Sequence, residues 1–190
     1  MKPKDDEKQR AIAEATFALV EQSGLSGLTM ADIARTAGIA TSTLYVYYPS
    51  KDELVSQLYD HAKAETAKRI LHGYDPSAPY RGRVRHIWES LLRNRLERYA
   101  EAVFQEQYHN SHWFTQSNRA RSAKLVVQFN ALIEEGQRHE IVKALPIPLL
   151  AACILGSIRE TATLIRTKVL PPNAATREAA FTLCWDALKA

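Results

Sequence analysis

Residues Thr29 to Leu54 read T-M-A-D-I-A-R-T-A-G-I-A-T-S-T-L-Y-V-Y-Y-P-S-K-D-E-L, and this stretch decides the fold. Thr29 is placed to cap a short helix whose Ile33, Ala34 and Ala37 form one apolar side, and Gly38 supplies the left-handed residue that ends it. A second helix follows, with Leu44 and Tyr48 four apart on one face. That leaves Thr41 with Tyr45, and Ser42 with Val46, on neighbouring outer faces. Pro49 cannot continue this helix, and Ser50 with Glu53 three residues later forms a capping box that opens a third. Two short helices around a glycine turn make a helix-turn-helix, and the outer faces of the second are free to read DNA.

The run Leu44-Tyr45-Val46-Tyr47-Tyr48-Pro49-Ser50-Lys51-Asp52-Glu53-Leu54 resembles the hallmark L-Y-x-Y/H-F-x-x-K-x-x-L of the TetR/AcrR family of bacterial transcriptional regulators. Upstream, A-I-A-E-A-T-F-A-L-V-E-Q-S-G-L-S-G-L-T-M over residues 11–30 is similar to the family's first helix and its terminator, here Gly24. The resemblance covers about the first third of the chain. It implies that Thr41, Ser42, Thr43 and Tyr45 touch bases and phosphates, and that Tyr47 and Lys51 contact the DNA backbone. Thr29 and Val46 complete the expected DNA-contacting set. Lys51 has its own physical argument, because a cation in the first turn of a helix opposes the helix dipole unless a phosphate sits there too. The alternatives are a solvated lysine offset by Asp52 and Glu53, and plain packing for one of Tyr45 and Tyr47. The chain departs from the commonest family pattern at Ala40, which has no cap oxygen, at Thr41 in place of a lysine, and at Val46 in place of a large polar or aromatic residue. This small, weakly charged face suits thymine methyls and hydroxyl contacts better than arginine-to-guanine readout.

Composition permits one large domain or two small ones: 190 residues, 46% of them hydrophobic, are enough for a proper core. No apolar run approaches the roughly 20 residues of a membrane span, and the charged start has no signal-peptide core, so a cytoplasmic protein without membrane contact is expected. Cys153 and Cys184 follow no metal-ligand spacing and read as small packing residues, with a redox pair as the alternative. The net charge of +4 does not make the case for DNA. Residues 1–60 hold six basic and nine acidic side chains, so the positive excess lies in the rest of the chain.

Beyond the motif the periodicity is helical throughout. One helix over about Lys8 to Ser23 carries Ile12, Ala15, Leu19 and Val20. Another from Ser50 to about His72 carries Leu54, Val55, Leu58, Tyr59 and Ala62, and at roughly 33 Å it is long enough to link a DNA-binding end to a remote body. A helix over about Pro79 to Ala100 carries Val84, Ile87, Trp88, Leu91, Leu92 and Tyr99, and a short one spans Ala102 to Asn110. Leu125, Phe129, Leu132 and Ile133 mark a helix ending near Gly136. Pro146 and Pro148 introduce an almost wholly apolar helix through Ile154, Leu155, Ile158, Ala162 and Ile165, and a last helix holds Phe181, Leu183 and Trp185. A helix apolar nearly all round must be covered on both sides, by its own domain and by the same helix pair of a second subunit; the alternative is a fully buried central helix in a monomer. The resemblance likewise implies a homodimer through the last two helices.

Arg95 falls at the centre of the stripe made by Val84, Trp88, Leu91 and Tyr99, and an arginine facing a core must find a partner. That partner is either an internal glutamate such as Glu106 or Glu160, or the charged end of an anionic or amphipathic organic effector walled by Trp88, Leu91, Phe104, Tyr108 and Phe129. His109 and His112 lie three apart, but without a third placed ligand they read as a polar helix end and no metal is expected. Neither a phosphate-cradling glycine loop nor a catalytic constellation is legible, so no cofactor and no enzymatic activity are expected. The expected protein is all-α: an N-terminal three-helix helix-turn-helix domain (1–52) joined by a long helix to a C-terminal helical ligand-binding and dimerisation domain (53–190). It is read as a ligand-responsive repressor that binds palindromic double-stranded operator DNA as a dimer. The alternatives are a small-molecule-binding or enzymatic helical protein with a vestigial DNA domain, and a regulator without a small-molecule ligand.

Overall fold

Capping chemistry and apolar spacing set nine helices among the described residues of a computed structural model, which describes the backbone of residues 3–190 and the side chains of 5–123 and 126–190. They are α1 (Pro3–Ser23), α2 (Met30–Thr36), α3 (Thr41–Tyr47), α4 (Lys51–Leu71), α5 (Tyr80–Glu97), α6 (Tyr99–His109), α7 (Gln116–Arg138), α8 (Ile147–Arg166) and α9 (Ala174–Leu188). Among these residues there is no strand, only an isolated antiparallel bridge between Val142 and Lys189. The chain divides into two compact units, Met1–Glu65 with Arg98–Ala123, and Thr66–Glu97 with Lys124–Ala190.

In the first unit the local signals act as their chemistry dictates. The Thr29 hydroxyl accepts the Asp32 N–H at 3.1 Å. Gly38, at φ +67°, closes α2 with a Schellman pair in which its own N–H reaches the Arg35 carbonyl and the Ile39 N–H reaches that of Ala34. Ser50 Oγ accepts the Glu53 N–H at 3.1 Å, while the Glu53 carboxylate accepts from Gln57. Ile12 and Val20 of α1, Ile33 of α2, Leu44 of α3, and Leu54 and Val55 of α4 are all completely buried in one core. Phe104 and Tyr108 of α6 fill the same core, with the Phe104 ring 5.0 Å from that of Phe17.

The sequence reading gave all of 53–190 to one body, whereas the contacts place most of α4, all of α6 and the start of α7 with the helix-turn-helix. The reason is that periodicity identifies an apolar face without naming what covers it. The helix expected through to Ala100 also stops early: Arg98, at φ −129° and ψ 50°, breaks it and starts α6.

The second unit is centred on Trp88, whose indole N–H donates to Ser157 Oγ at 2.9 Å, with Phe181 edge-on at 5.8 Å. Leu132, Ile133, Leu150, Ile154, Ile158, Ala162, Phe181 and Trp185 complete the core. Leu125, expected in the α7 stripe, lies outside the described side chains. α7 ends at Arg138, near Gly136 as expected, and Gly136 lies in its last turn. This glycine is buried, and a Cβ there would collide with the Tyr80 hydroxyl oxygen.

On α8 and α9 several apolar positions face outward, Leu155 at 51% exposure and Leu183 at 74%; Leu149, Leu164 and Cys153 are also exposed. Cys184 is buried, and burial pushes its thiol up from the ordinary value, so only one of the two cysteines packs as expected. By length and composition α8 is apolar enough to cross a membrane, contrary to the expectation that no run approaches that size. One side of it nonetheless lies in the core, and the other carries a pair between Arg159 and Glu160.

Candidate nucleic-acid interface

α3 is anchored by one side and open on the other. Leu44 is completely buried and Tyr48 nearly so, which fixes the rotation of the helix about its axis. Thr41, Ser42, Tyr45 and Val46 are left exposed, Val46 at 82%, with Thr43 half-buried beside them. Ala40 supplies no side-chain cap to the N-terminal N–H groups of α3, as its methyl requires. The exposed surface of α3 therefore consists of hydroxyls, one phenol and one isopropyl group, with no formal charge.

The flanking residues are more constrained than the sequence suggested. Thr29 is engaged as the cap of α2, its hydroxyl also donating to Asp32 Oδ2 at 2.6 Å, and Arg35 pairs with the same aspartate. The Tyr47 hydroxyl donates to Asp5 Oδ1 of α1 at 2.8 Å; that bond, helped by burial, raises its pKa. Tyr47 is half-buried and Tyr45 exposed, so of the two tyrosines it is Tyr47 that turns toward the protein.

Lys51 opens α4 with its ammonium 4.8 Å from the centre of the Trp113 indole. Partial burial lowers its proton affinity, against the pull of Asp52. Trp113 and Asp5 are the neighbours that sequence reasoning did not assign to this surface. Trp113 is 62 positions from Lys51 and carries no local signal beyond its place beside two histidines. The histidines themselves go to different rings, His109 against Phe114 and His112 against Trp113, with centroids 4.4 and 3.9 Å apart.

The six residues expected around an effector divide between the two units. Phe104 and Tyr108 belong to the core of the first unit, and Trp88, Leu91 and Phe129 to that of the second. Arg95, on α5, is half-buried. The second unit does contain an apolar cavity lined by Tyr80, Val84, Ile87, Phe129, Leu132 and neighbouring core residues, but its volume of about 20 Å³ suits a single water-sized body. The aromatic spacing was legible in sequence; the assignment of each ring to a unit depended on the break at Arg98.

Residues 12–58 match the family model of bacterial regulatory proteins of the tetR family, and residues 79–189 match that of the tetracyclin repressor-like C-terminal domain. The chain belongs to the TetR family. A crystal structure of a TetR family transcription regulator from Marinobacter aquaeolei VT8 is similar over 100% of this chain and 99% of that one, with 26% identity and a TM-score of 0.92. The uncharacterized HTH-type transcriptional regulator YuxN of Bacillus subtilis is 28% identical over 93 residues, 47% of this chain and 32% of that protein. The HTH-type transcriptional repressor KstR of Mycolicibacterium smegmatis is 32% identical over 94 residues, 47% of this chain and 46% of that protein. The chain spans less than half the length of the first curated relatives it matches. Within this TetR family chain, α2 and α3 are the helix-turn-helix.

Proposed function

We propose that this chain is a DNA-binding transcriptional repressor that acts in the cytoplasm as a homodimer on a palindromic operator and leaves it when a small organic effector binds. The observation that carries the reading is the geometry of α3: Leu44 and Tyr48 lock it against the core while Thr41, Ser42, Tyr45 and Val46 face outward, with Lys51 at the start of the next helix. Thr41, Ser42 and Val46 offer hydroxyls and a methyl surface to base edges, and Thr43, Tyr45, Tyr47 and Lys51 serve the backbone. Thr29 contributes by fixing the start of α2. The sign of regulation is taken from KstR, a repressor by name.

Dimerisation through α8 and α9 is supported by the apolar side chains they leave exposed, Leu149, Leu155, Leu164 and Leu183. Two copies of α3 must then stand roughly 34 Å apart to enter successive major grooves. An effector that binds better to a state with another spacing draws the population off the operator. The apolar cavity of the second unit supports an effector with an apolar body, which must widen it; Arg95, further along α5 and not in the cavity wall, is the group proposed for its charged end. The small size of that cavity supports a second reading, control by something other than a small molecule.

The test is selection of duplexes from a random pool, followed by titration of wild type, Lys51→Ala and Thr41→Ala on selected and scrambled DNA at several salt concentrations. Lys51→Ala should weaken both DNAs and reduce the salt slope by about two for a dimer. Thr41→Ala should leave the slope alone and lower the preference for the selected sequence by about 1 to 3 kcal/mol for each half-site position. A wild type without sequence preference would end the regulator reading. Competition by a medium-chain alkyl carboxylate, lost in Arg95→Ala, separates the effector reading from its alternative.

A further inference from the structure

The turn between α6 and α7 is sewn to the opening turns of α4. Asn118 is completely buried, and its amide donates to Ser56 Oγ at 3.2 Å and to Asp60 Oδ1 at 3.3 Å. Its carbonyl accepts from the Thr115 hydroxyl at 2.7 Å, the Thr115 N–H at 3.1 Å and the Tyr108 hydroxyl at 3.0 Å. Arg121 adds an ion pair to Asp60 at 2.7 Å, and Phe114 packs edge-on against Tyr59 at 5.5 Å. A turn held at so many points presents Trp113 to α4 in a fixed orientation.

Trp113 meets both residues that open α4. Its indole N–H donates to Asp52 Oδ1 at 2.7 Å, and its ring face lies beneath Lys51 Nζ at 4.8 Å. The two contacts act together. The N–H engages the carboxylate that would otherwise compete for the lysine, and the ring attracts the ammonium without consuming its N–H donors. A lysine stem free in solvent loses much rotamer freedom when it is fixed on a phosphate, and a stem already resting on a ring loses less.

We propose that Trp113 is a positioning residue for DNA binding: the α6–α7 turn uses the indole to hold the Lys51 ammonium, donors outward, where α4 meets a phosphate. The inference rests on the reading of Lys51 as a phosphate contact. It places a determinant of DNA affinity outside the helix-turn-helix, on a turn 62 positions away from Lys51 in sequence. The electrostatics give this weight, because residues 1–65 and 98–123 together hold ten basic and twelve acidic side chains. In a unit without positive excess, the placement of each cation decides how much of it a phosphate can use.

The experiment uses the full chain with Trp113→Leu, Trp113→Phe, Lys51→Ala and the Lys51→Ala/Trp113→Leu double variant, on a duplex selected by wild type and on its scrambled form. Trp113→Leu should weaken both DNAs about five- to twentyfold, two subunits each losing a surface cation–π contact, with the salt slope unchanged because the charge remains. Trp113→Phe should retain most of the affinity, and Trp113→Leu should cost nothing further when Lys51 is alanine. An equal loss from Trp113→Leu in the Lys51→Ala background, or no loss in wild type, overturns the inference while leaving Lys51 as a phosphate contact. A Lys51→Ala protein with an unchanged salt slope removes that contact and the inference with it. If Trp113→Leu fails to fold, uniform labelling with fluorinated tryptophan weakens the ring face without changing the shape. Binding should then fall in wild type and stay constant in Lys51→Ala, and equal responses in the two proteins overturn the inference.

Discussion

Gly136→Ala should destabilise the second unit, although the same change in an ordinary helix interior stabilises. Replacing a mid-helix glycine by alanine normally gains about 1 kcal/mol, mostly through the entropy of the unfolded chain. At Gly136 the added Cβ would stand 2.1 Å from the Tyr80 hydroxyl oxygen, 2.5 Å from Tyr80 Cζ and 2.8 Å from Val142 Cγ2. None of these atoms can yield cheaply. The Tyr80 hydroxyl donates to the Leu132 carbonyl at 2.8 Å, a bond that moving the ring breaks, and Val142 is buried in the core. Overpacking of this kind costs about 1 to 3 kcal/mol, and a lost hydrogen bond about 1 more. Against the helix gain, the net should be a loss of about 2 kcal/mol. Trp88 and Trp185 report on this unit through their fluorescence, and the urea midpoint should fall by about 1 M. Tyr80→Ala removes the clashing ring, so Gly136→Ala in that background should cost far less or stabilise. A Gly136→Ala protein as stable as wild type, or equal costs in the two backgrounds, would refute the close approach.

Leu155→Glu combined with Leu183→Glu places charges on exposed positions of α8 and α9, so the protein should sediment near the 21.4 kDa of one chain with its helix content intact; a dimer of unchanged affinity would remove this face as the interface. Burial, and then the nearby Lys63 and Arg119, lower the proton affinity of His109. The folded chain therefore takes up fewer protons than the unfolded chain as pH falls below about 6.5, and stability present at neutral pH is lost on acidification. The melting temperature should fall as the pH is lowered through about 6.5 and below, and His109→Gln should flatten that part of the profile; an identical profile in the variant would exclude His109 as a source.

The helix-turn-helix was legible because its information is local. A cap at Thr29, a left-handed residue at Gly38, a stop at Pro49 and the four-residue interval from Leu44 to Tyr48 each act within one or two turns of chain. The same locality made the α4 stripe readable, and Leu54, Val55, Leu58, Tyr59 and Ala62 are all buried as their spacing required. Family membership follows from that run of placed residues. What the sequence left undecided was which apolar faces meet. Phe104 and Tyr108 have the spacing of any core aromatic, and only the helix break at Arg98 sends them to the core of the first unit while Trp88 stays in the second. Gly136 marked where α7 ends in sequence, but only the folded chain shows that its missing side chain is the space that Tyr80 occupies. Lys51 was recognisable as a cation at a helix start, but the indole beneath it comes from Trp113, and no pattern along the chain joins the two. Backbone conformation is set by neighbours in sequence, so sequence determined the helices and the helix-turn-helix. Packing is set by neighbours in space, so tertiary structure alone decided what holds Lys51 and which helix faces remain uncovered.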